Sequence, residues 1–261
     1  MDIEGKALHR YRPAEETTTS IPVPEEIGCI AMREGGGLVA ASRSGFAFLD
    51  PDRGAFEIVA SPEPDQPSNR FNDGKCDCAG RFWAGTMDVA AERTSGALYR
   101  LSPDLAVSRV LTGVTIPNGI GWSPDNRTMY FTDSAQRAIA AFDFEDESGE
   151  IGSPKGFASI DAADGVPDGL TVDAEGYVWS AHWDGWRITR YDPEGGVDSV
   201  ITLPVPRPTS CAFGGALLDR LYVTSASIGL LPEQLANAPM SGGVFELNVG
   251  VRGRREPCFS G

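Results

Sequence analysis

The chain has 261 residues, of which 41% are hydrophobic and 23% are charged, as in an ordinary soluble globular protein. Its formal net charge of -15 argues against a nucleic-acid partner, because phosphate binding needs clustered Lys and Arg. No apolar run approaches the ~18 residues of a membrane span, and the N-terminus lacks the pattern of a secretion signal. The five cysteines are scattered, which favours reduced thiols and predicts a cytoplasmic protein with no membrane partner.

A repeated unit runs along the chain. Each copy opens with a polar residue and Gly, continues through a short apolar strand to a D-x-x-G or S-P-D turn, and then enters a strand that contains Trp or Tyr. The copies begin near residues 27, 70, 117, 167 and 208. Short antiparallel strands that repeat at about 41 to 50 residues predict the four-stranded blades of a β-propeller.

The residues before the first full copy resemble half of a unit. Residues 2–11 align with residues 133–142, which form the second half of the third copy. The sequence therefore predicts an all-β, six-bladed β-propeller in one domain, residues 1–261, whose first blade is incomplete at the N-terminus. Either the tail from Val251 to Gly261 completes that blade, or the chain as given begins after the true start. The pattern predicts a short helical turn only at Pro232–Asn237.

Several common catalytic motifs are excluded. The chain has two histidines, so an H-E-x-x-H zinc site is impossible, and it contains no G-x-S-x-G elbow. His182, in an Ala-His-Trp-Asp sequence, is interpreted as a structural residue rather than a catalytic base.

The repeat openings are the positions that point to chemistry. Three of them carry a side-chain oxygen just before Gly, in Asn72-Asp73-Gly74, Asn118-Gly119 and Asp168-Gly169. Any one of these sequences is also a favoured turn. Equivalent positions of propeller blades converge on one axis, however, so three openings in register predict a cluster of oxygen donors. An Asn and an Asp are too few for calcium or magnesium, whereas zinc or manganese accept fewer ligands, and a further ligand is expected from another opening.

Four of these motifs carry a resemblance to a known family. The chain resembles the regucalcin/gluconolactonase family over essentially its whole length, in Arg70–Lys75 (Arg-Phe-Asn-Asp-Gly-Lys), Gly80–Met87, Ile116–Gly119 and Val166–Gly169. This resemblance implies a six-bladed propeller that binds one divalent metal ion, Ca, Zn, Mn or Mg, and hydrolyses sugar lactones to aldonic acids. Such a protein is a carboxylic ester hydrolase whose partner is a small-molecule lactone.

The resemblance also implies roles for particular residues. Asn118 and Asp168 would bind the metal ion, and Arg70 and Asn72 would hold the substrate. We further expect Asp168 to act as the catalytic base that takes a proton from the attacking water, and the residues between Asp88 and Glu92 to form part of a lid.

The start of the chain departs from the family pattern. The family's first metal ligand is a Glu in an E-G-P turn, and no such turn occurs in this sequence. The alternative function is therefore a non-catalytic or metal-weakened propeller that serves as a metal-binding or protein-interaction module.

Overall fold

The computed structural model describes residues 1–13 and 15–261, whose regular secondary structure is almost entirely antiparallel strands. Contacts divide the chain into two compact units. Unit 1 comprises Met1–Pro117 and Pro257–Gly261, and unit 2 comprises Asn118–Glu256. The single domain over residues 1–261 stays a prediction.

Unit 1 contains two four-stranded sheets and a two-stranded ribbon. In each sheet, consecutive strands pair antiparallel in chain order. The ribbon is β1 (Ala7–Arg12) and β2 (Thr17–Pro22), and the sheets are β3 (Ile27–Met32), β4 (Leu38–Ser42), β5 (Gly45–Asp50), β6 (Ala55–Ala60), and β7 (Asn69–Cys76), β8 (Phe82–Asp88), β9 (Gly96–Leu101), β10 (Val107–Val114).

Unit 2 contains three further antiparallel sheets. The first is β11 (Pro117–Trp122), β12 (Thr128–Asp133), β13 (Ala138–Glu145), β14 (Glu150–Ile151) and β15 (Lys155–Ser159), with a 3₁₀ turn at Ser134–Gln136. The second is β16 (Val166–Val172), β17 (Val178–Trp183), β18 (Arg187–Tyr191) and β19 (Val197–Thr202), preceded by a 3₁₀ turn at Ala162–Asp164. The third is β20 (Pro208–Gly214), β21 (Arg220–Ser225) and β22 (Val244–Leu247).

The sheets confirm the propeller blade as the repeating unit but do not support six blades. Five sheets of three to five strands correspond to the five full copies of the repeat. The sixth blade was predicted from the residues before Ile27, and in the described part of the chain β1 and β2 pair only with each other. Two strands are half of a four-stranded blade, so the structure has five blades and a ribbon.

The predicted helical turn is confirmed as α1 (Pro232–Asn237). Pro at its first turn needs no N–H partner, and the Gln234 side chain accepts a hydrogen bond from the Leu231 N–H at 2.8 Å. Throughout residues 1–13 and 15–261, no helix is long and apolar enough to cross a membrane.

Aromatic side chains fill the cores of both units. In unit 1, the Phe46 ring lies 4.7 Å from that of Phe71 and 5.9 Å from that of Phe82. In unit 2, the rings of Trp179 and Phe213 lie 6.1 Å apart, edge to face. Because strand side chains alternate between the two faces of a sheet, each of these sheets buries apolar residues on its packed face.

A buried aspartate closes the D-x-x-G turn after β7 in unit 1. Asp77 is fully buried, and its carboxylate accepts hydrogen bonds from the N–H groups of Ala79 and Arg81. The same carboxylate accepts from the Arg81 guanidinium at 2.6 Å and from the Trp83 indole at 2.7 Å. The turn and the following strand are therefore held by one buried anion whose charge is balanced.

The D-x-x-G turn after β16 in unit 2 uses the same arrangement. Asp173 is fully buried and accepts from the N–H groups of Glu175 and Tyr177 and from the Trp179 indole at 2.9 Å. Here the guanidinium comes from Arg190 in β18, with Nη2 at 2.7 Å and Nε at 3.0 Å from the carboxylate.

Candidate functional site

The polar residues of the repeat openings lie inside the first strand of their sheets. Their sequences are favoured in turns, but Asn72 is part of β7, Asn118 of β11 and Asp168 of β16. Pairing with the second strand outweighs the local turn preference. The register shifts between Phe71 and Gly74 and between Pro167 and Leu170, so Asn72 and Asp168 lie at β-bulges. A bulge adds an unpaired residue and re-aims its side chain, which suits a binding position.

Arg70 and Asn72 are bonded to each other in unit 1. The Arg70 guanidinium donates to the Asn72 side-chain oxygen and to the Phe71 carbonyl, both at 2.8 Å. The Asn72 amide nitrogen donates to the Pro117 carbonyl at 2.8 Å. These bonds fix the position of a guanidinium group on the first strand of its sheet.

Burial lowers the pKa of the Arg70 guanidinium, and the carboxylates of Glu26 and Glu4 act in the opposite direction. An arginine side chain stays protonated at every pH at which a protein is folded. Arg70 is therefore a partly desolvated cation whose five donors are suited to binding oxygen atoms.

Close backbone approach explains the glycines beside Asn72. A Cβ added to Gly28 would lie 2.3 Å from the Asn72 carbonyl oxygen, and one added to Gly74 would lie 2.8 Å from the Cys29 sulfur. Strands β3 and β7 therefore pack closely against each other. Between Asn72 and Gly74, burial raises the pKa of the Asp73 carboxyl group, while its bond from the Gly74 N–H acts against that rise.

The strands that carry Asn118 and Asp168 approach each other closely in unit 2. A Cβ on Gly119 would lie 2.8 Å from the Asp168 carbonyl oxygen, so only glycine lets β11 approach β16 this closely. The Asn118 amide nitrogen donates to the Ser134 hydroxyl at 2.7 Å, and that hydroxyl donates to the Pro167 carbonyl at 2.5 Å. One buried serine thus links the Asn118 side chain to the main chain just before Asp168.

Arg137 holds the segment that leads into Asp168. Its guanidinium lies beyond the 3₁₀ turn and donates to three carbonyl oxygens of that segment, those of Ile160, Asp161 and Gly165. The segment before Asp168 is therefore anchored to Arg137 at three carbonyl oxygens.

His182 anchors the same segment from β17. The ring Nδ1 lies 2.8 Å from the Asp164 carbonyl, which can only accept, so Nδ1 carries the proton. The ring Nε2 then accepts from the Tyr191 hydroxyl at 3.3 Å. Burial lowers the pKa of His182, with a smaller effect of Arg187 in the same direction. His182 is thus a buried, neutral and hydrogen-bonded histidine, which agrees with the structural role inferred from the sequence.

Asn118 and Asp168 offer the donor chemistry of a divalent cation site. An amide oxygen and a carboxylate are hard ligands of the kind that calcium, magnesium and manganese prefer. The close approach of their strands at Gly119 brings the main chains next to these two residues near each other. Within residues 1–13 and 15–261, no group of three or more His, Cys, Asp or Glu side chains could hold a metal ion. An ion held by this pair would therefore need its other ligands from different classes of group.

The segment predicted as part of a lid is closed onto β8. The Asp88 carboxylate accepts from the Glu92 N–H at 3.2 Å and pairs with the Arg93 guanidinium at 2.5 Å. These contacts lower the pKa of Asp88, the bond from Arg93 most strongly. A role for these residues as a lid stays a prediction.

The residues around Asn118 and Asp168 were not predicted from the sequence. The Asn-Gly and Asp-Gly pairs indicated these two positions, but not the neighbouring Ser134, Arg137 and His182. The relevant bonds span 16 to 33 residues, from Ser134 to Asn118 and to Pro167. The one local signal is the Asp133 side chain, which accepts from the Ala135 N–H and so begins the turn that carries Ser134.

The blades and these sites define the class of the protein, an all-β protein of the β-propeller type. A family model described as the SMP-30/gluconolactonase/LRE-like region matches residues 1–227, and the chain belongs to this family. Regucalcin of Danio rerio is 38% identical over 265 residues, and regucalcin of Homo sapiens is 35% identical over 268 residues. Both alignments cover 100% of this chain and 90% of the relative.

Solved structures resemble the chain over nearly all of its length. A calcium-binding protein of Agrobacterium tumefaciens, regucalcin, has a TM-score of 0.94 and 31% identity, covering 98% of this chain and 87% of its own. A luciferin-regenerating enzyme has a TM-score of 0.94 and 30% identity, covering 100% and 90%. A gluconolactonase of Xanthomonas campestris has a TM-score of 0.74 and 25% identity, covering 86% and 77%.

Proposed function

We propose that the protein is a cytoplasmic, metal-dependent lactonase that hydrolyses sugar lactones to aldonic acids. The observation that carries this proposal is the pair Asn118 and Asp168, which lie on strands of two different sheets that approach closely at Gly119. The chain also matches its family over residues 1–227. Its similarity to a gluconolactonase supports a lactone as the substrate class. Its similarity to a calcium-binding protein supports a divalent metal ion as the cofactor.

The proposed roles follow from the chemistry of the side chains. Asn118 and Asp168 would hold one divalent ion, which would supply Lewis-acid polarisation of the ester carbonyl when bound. Asp168 is also the general base that accepts a proton from the attacking water. Water adds to the carbonyl carbon, the ring C–O bond breaks, and the departing oxygen takes up a proton, so the product is the open hydroxy acid.

Arg70 and Asn72 are assigned to substrate binding. The Arg70 guanidinium is a fixed cation with several donors, and sugar lactones carry hydroxyl and ring oxygens that accept hydrogen bonds. The Asn72 amide holds the guanidinium at its side-chain oxygen and is itself anchored at Pro117. Orientation of the substrate by such groups lowers the entropic part of the barrier.

The test of this proposal is lactone hydrolysis by the metal-stripped protein. Calcium, zinc, manganese or magnesium is added singly, and acid release from gluconolactone and other sugar lactones is followed against the spontaneous rate. We expect turnover to be absent without metal and restored by at least one ion. A protein that binds a metal but hydrolyses no lactone would contradict the proposal.

A second candidate function is a non-catalytic metal-binding protein, which the similarity to a calcium-binding protein favours. It predicts metal affinity without turnover. The same experiment separates the two candidates, because binding and hydrolysis are measured on one preparation.

A further inference from the structure

A buried hydroxyl group, that of Ser134, links the Asn118 side chain to the Pro167 carbonyl just before Asp168. We propose that Ser134 is a positioning residue that sets the orientation of the Asn118 amide and of the main chain at Asp168 for metal binding. This inference rests on the proposed metal site at Asn118 and Asp168, and it assigns Ser134 no direct contact with metal or substrate.

The hydrogen bonds of Ser134 determine which way the Asn118 amide faces. A serine hydroxyl has one proton, and Ser134 donates it to the Pro167 carbonyl at 2.5 Å. The hydroxyl oxygen is then an acceptor for Asn118, whose amide nitrogen lies 2.7 Å away. A reversed amide would place two oxygen atoms against each other with no proton between them. Ser134 therefore selects the orientation in which the amide nitrogen faces the serine and the amide oxygen lies on the opposite side.

The bond to Pro167 acts on Asp168 through the backbone. The Pro167 carbonyl belongs to the same planar peptide group as the Asp168 nitrogen. Fixing that carbonyl fixes the plane from which the Asp168 side chain starts, at the bulge between Pro167 and Leu170. One hydroxyl group thus constrains both proposed ligands, although they are 50 residues apart in the chain.

Ser134 is itself held in place. It is 4% exposed and begins the 3₁₀ turn Ser134–Gln136, in which the Asp133 carboxylate accepts from the Ala135 N–H at 3.2 Å. The Ser134 carbonyl accepts from the Arg137 N–H at 3.0 Å, and Arg137 adopts a left-handed conformation with φ of 51°. A group fixed in this way can hold its neighbours without moving with them.

The test is the metal affinity of purified, metal-stripped variants, measured by titration calorimetry with calcium, zinc, manganese and magnesium singly. We expect Ser134→Ala to weaken binding by about 10- to 100-fold, the effect typical of removing a partner of a metal ligand. Ser134→Thr keeps a hydroxyl group and should bind more tightly than Ser134→Ala. Circular dichroism and thermal unfolding confirm that each variant is folded.

The matched control is Ser123→Ala. Ser123 is also buried and follows β11, at the end of the strand opposite Asn118. Its hydroxyl makes two comparable bonds, donating to the Asp125 carboxylate at 2.6 Å and accepting from the Thr128 N–H at 3.0 Å. Its removal should lower stability while leaving the metal Kd at the wild-type value.

The outcomes separate this inference from the proposed function. Weaker binding by Ser134→Ala but not by Ser123→Ala supports the positioning role. Wild-type affinity in a folded Ser134→Ala protein overturns it and leaves the metal-dependent lactonase intact. A wild-type protein that binds none of the four ions overturns the metal site itself, and the inference with it.

Discussion

Strand β16 has an aspartate at each end, and the two are held in different ways. Asp173, which follows the strand, is fully buried and its carboxylate accepts five hydrogen bonds, from two backbone N–H groups, the Trp179 indole and two nitrogens of Arg190. At Asp168, near the start of the strand, the described anchors act on the main chain, through the Pro167 carbonyl and the close approach of Gly119. The Asp173 carboxylate therefore stabilises a turn through its own bonds, whereas at Asp168 it is the main chain that neighbouring groups hold.

The turn at Asp77 in unit 1 supports this reading of Asp173. It has the same buried carboxylate and the same bond to an indole, although its guanidinium comes from Arg81 within the turn itself. The same buried carboxylate recurs with its arginine at a different position in the chain, as expected for a group that stabilises the fold. We therefore expect substitutions at the two ends of β16 to separate stability from activity.

The largest expected effect on stability is that of Asp173→Ala. It leaves the Trp179 indole and two backbone N–H groups without their buried acceptor, while Arg190 keeps its bonds to Glu175 and Asp198. The free energy of unfolding should therefore fall by about 3 to 5 kcal/mol, since each unsatisfied buried donor costs about 1 to 3 kcal/mol. Chemical denaturation of the wild type and the variant measures this change. The control is Asp192→Ala, at the half-buried turn after β18, which loses only its bonds from two backbone N–H groups and should cost about 1 kcal/mol. Equal losses in the two variants would contradict the role given to Asp173.

A smaller loss is expected for Trp179→Phe. The phenyl ring keeps much of the buried apolar volume but removes one hydrogen bond to a charged acceptor, worth about 1.5 to 3 kcal/mol. The equivalent change in unit 1, Trp83→Phe, removes the bond to Asp77 and should have a similar cost. A clear difference between these two denaturation midpoints would show that the two turns are not equivalent.

The smallest stability effect is a pH dependence at His182. Because burial lowers its pKa in the folded protein, the unfolded chain binds the proton more readily near the ordinary histidine value of about 6.5. The contribution of neutral His182 is therefore fully present above that pH and is lost as the pH falls towards the folded-state pKa. Denaturation of the wild type and His182→Gln at several pH values tests this. An unchanged slope of stability against pH in the variant would refute it.

The fold was predictable because the repeat records it several times. D-x-x-G turns recur in two copies and an S-P-D turn in a third, and residues such as Trp83 and Trp179 mark the second strand of a blade. The number of blades was not predictable in this way, because the count of six depended on the segment before Ile27, which forms only the ribbon of β1 and β2.

The candidate site was predictable in its residue types but not in its surroundings. The local sequence favours turns at Asn118 and Asp168, but pairing between strands puts both residues inside strands, β11 and β16. The contact through Ser134 depends on how three segments of the chain meet, and no local pattern records that. His182 was identified as structural, yet its bond to the Asp164 carbonyl, in the segment that precedes Asp168, follows only from the fold.

The metal-dependent role of Asp168 is tested by Asp168→Asn, measured for metal-restored lactone hydrolysis and for stability on the same preparation. We expect turnover to fall by about 100-fold or more, because the asparagine supplies neither the anionic ligand nor the base. We expect the denaturation midpoint to stay close to that of the wild type. Wild-type turnover in the folded variant would show that Asp168 is neither the metal ligand nor the base.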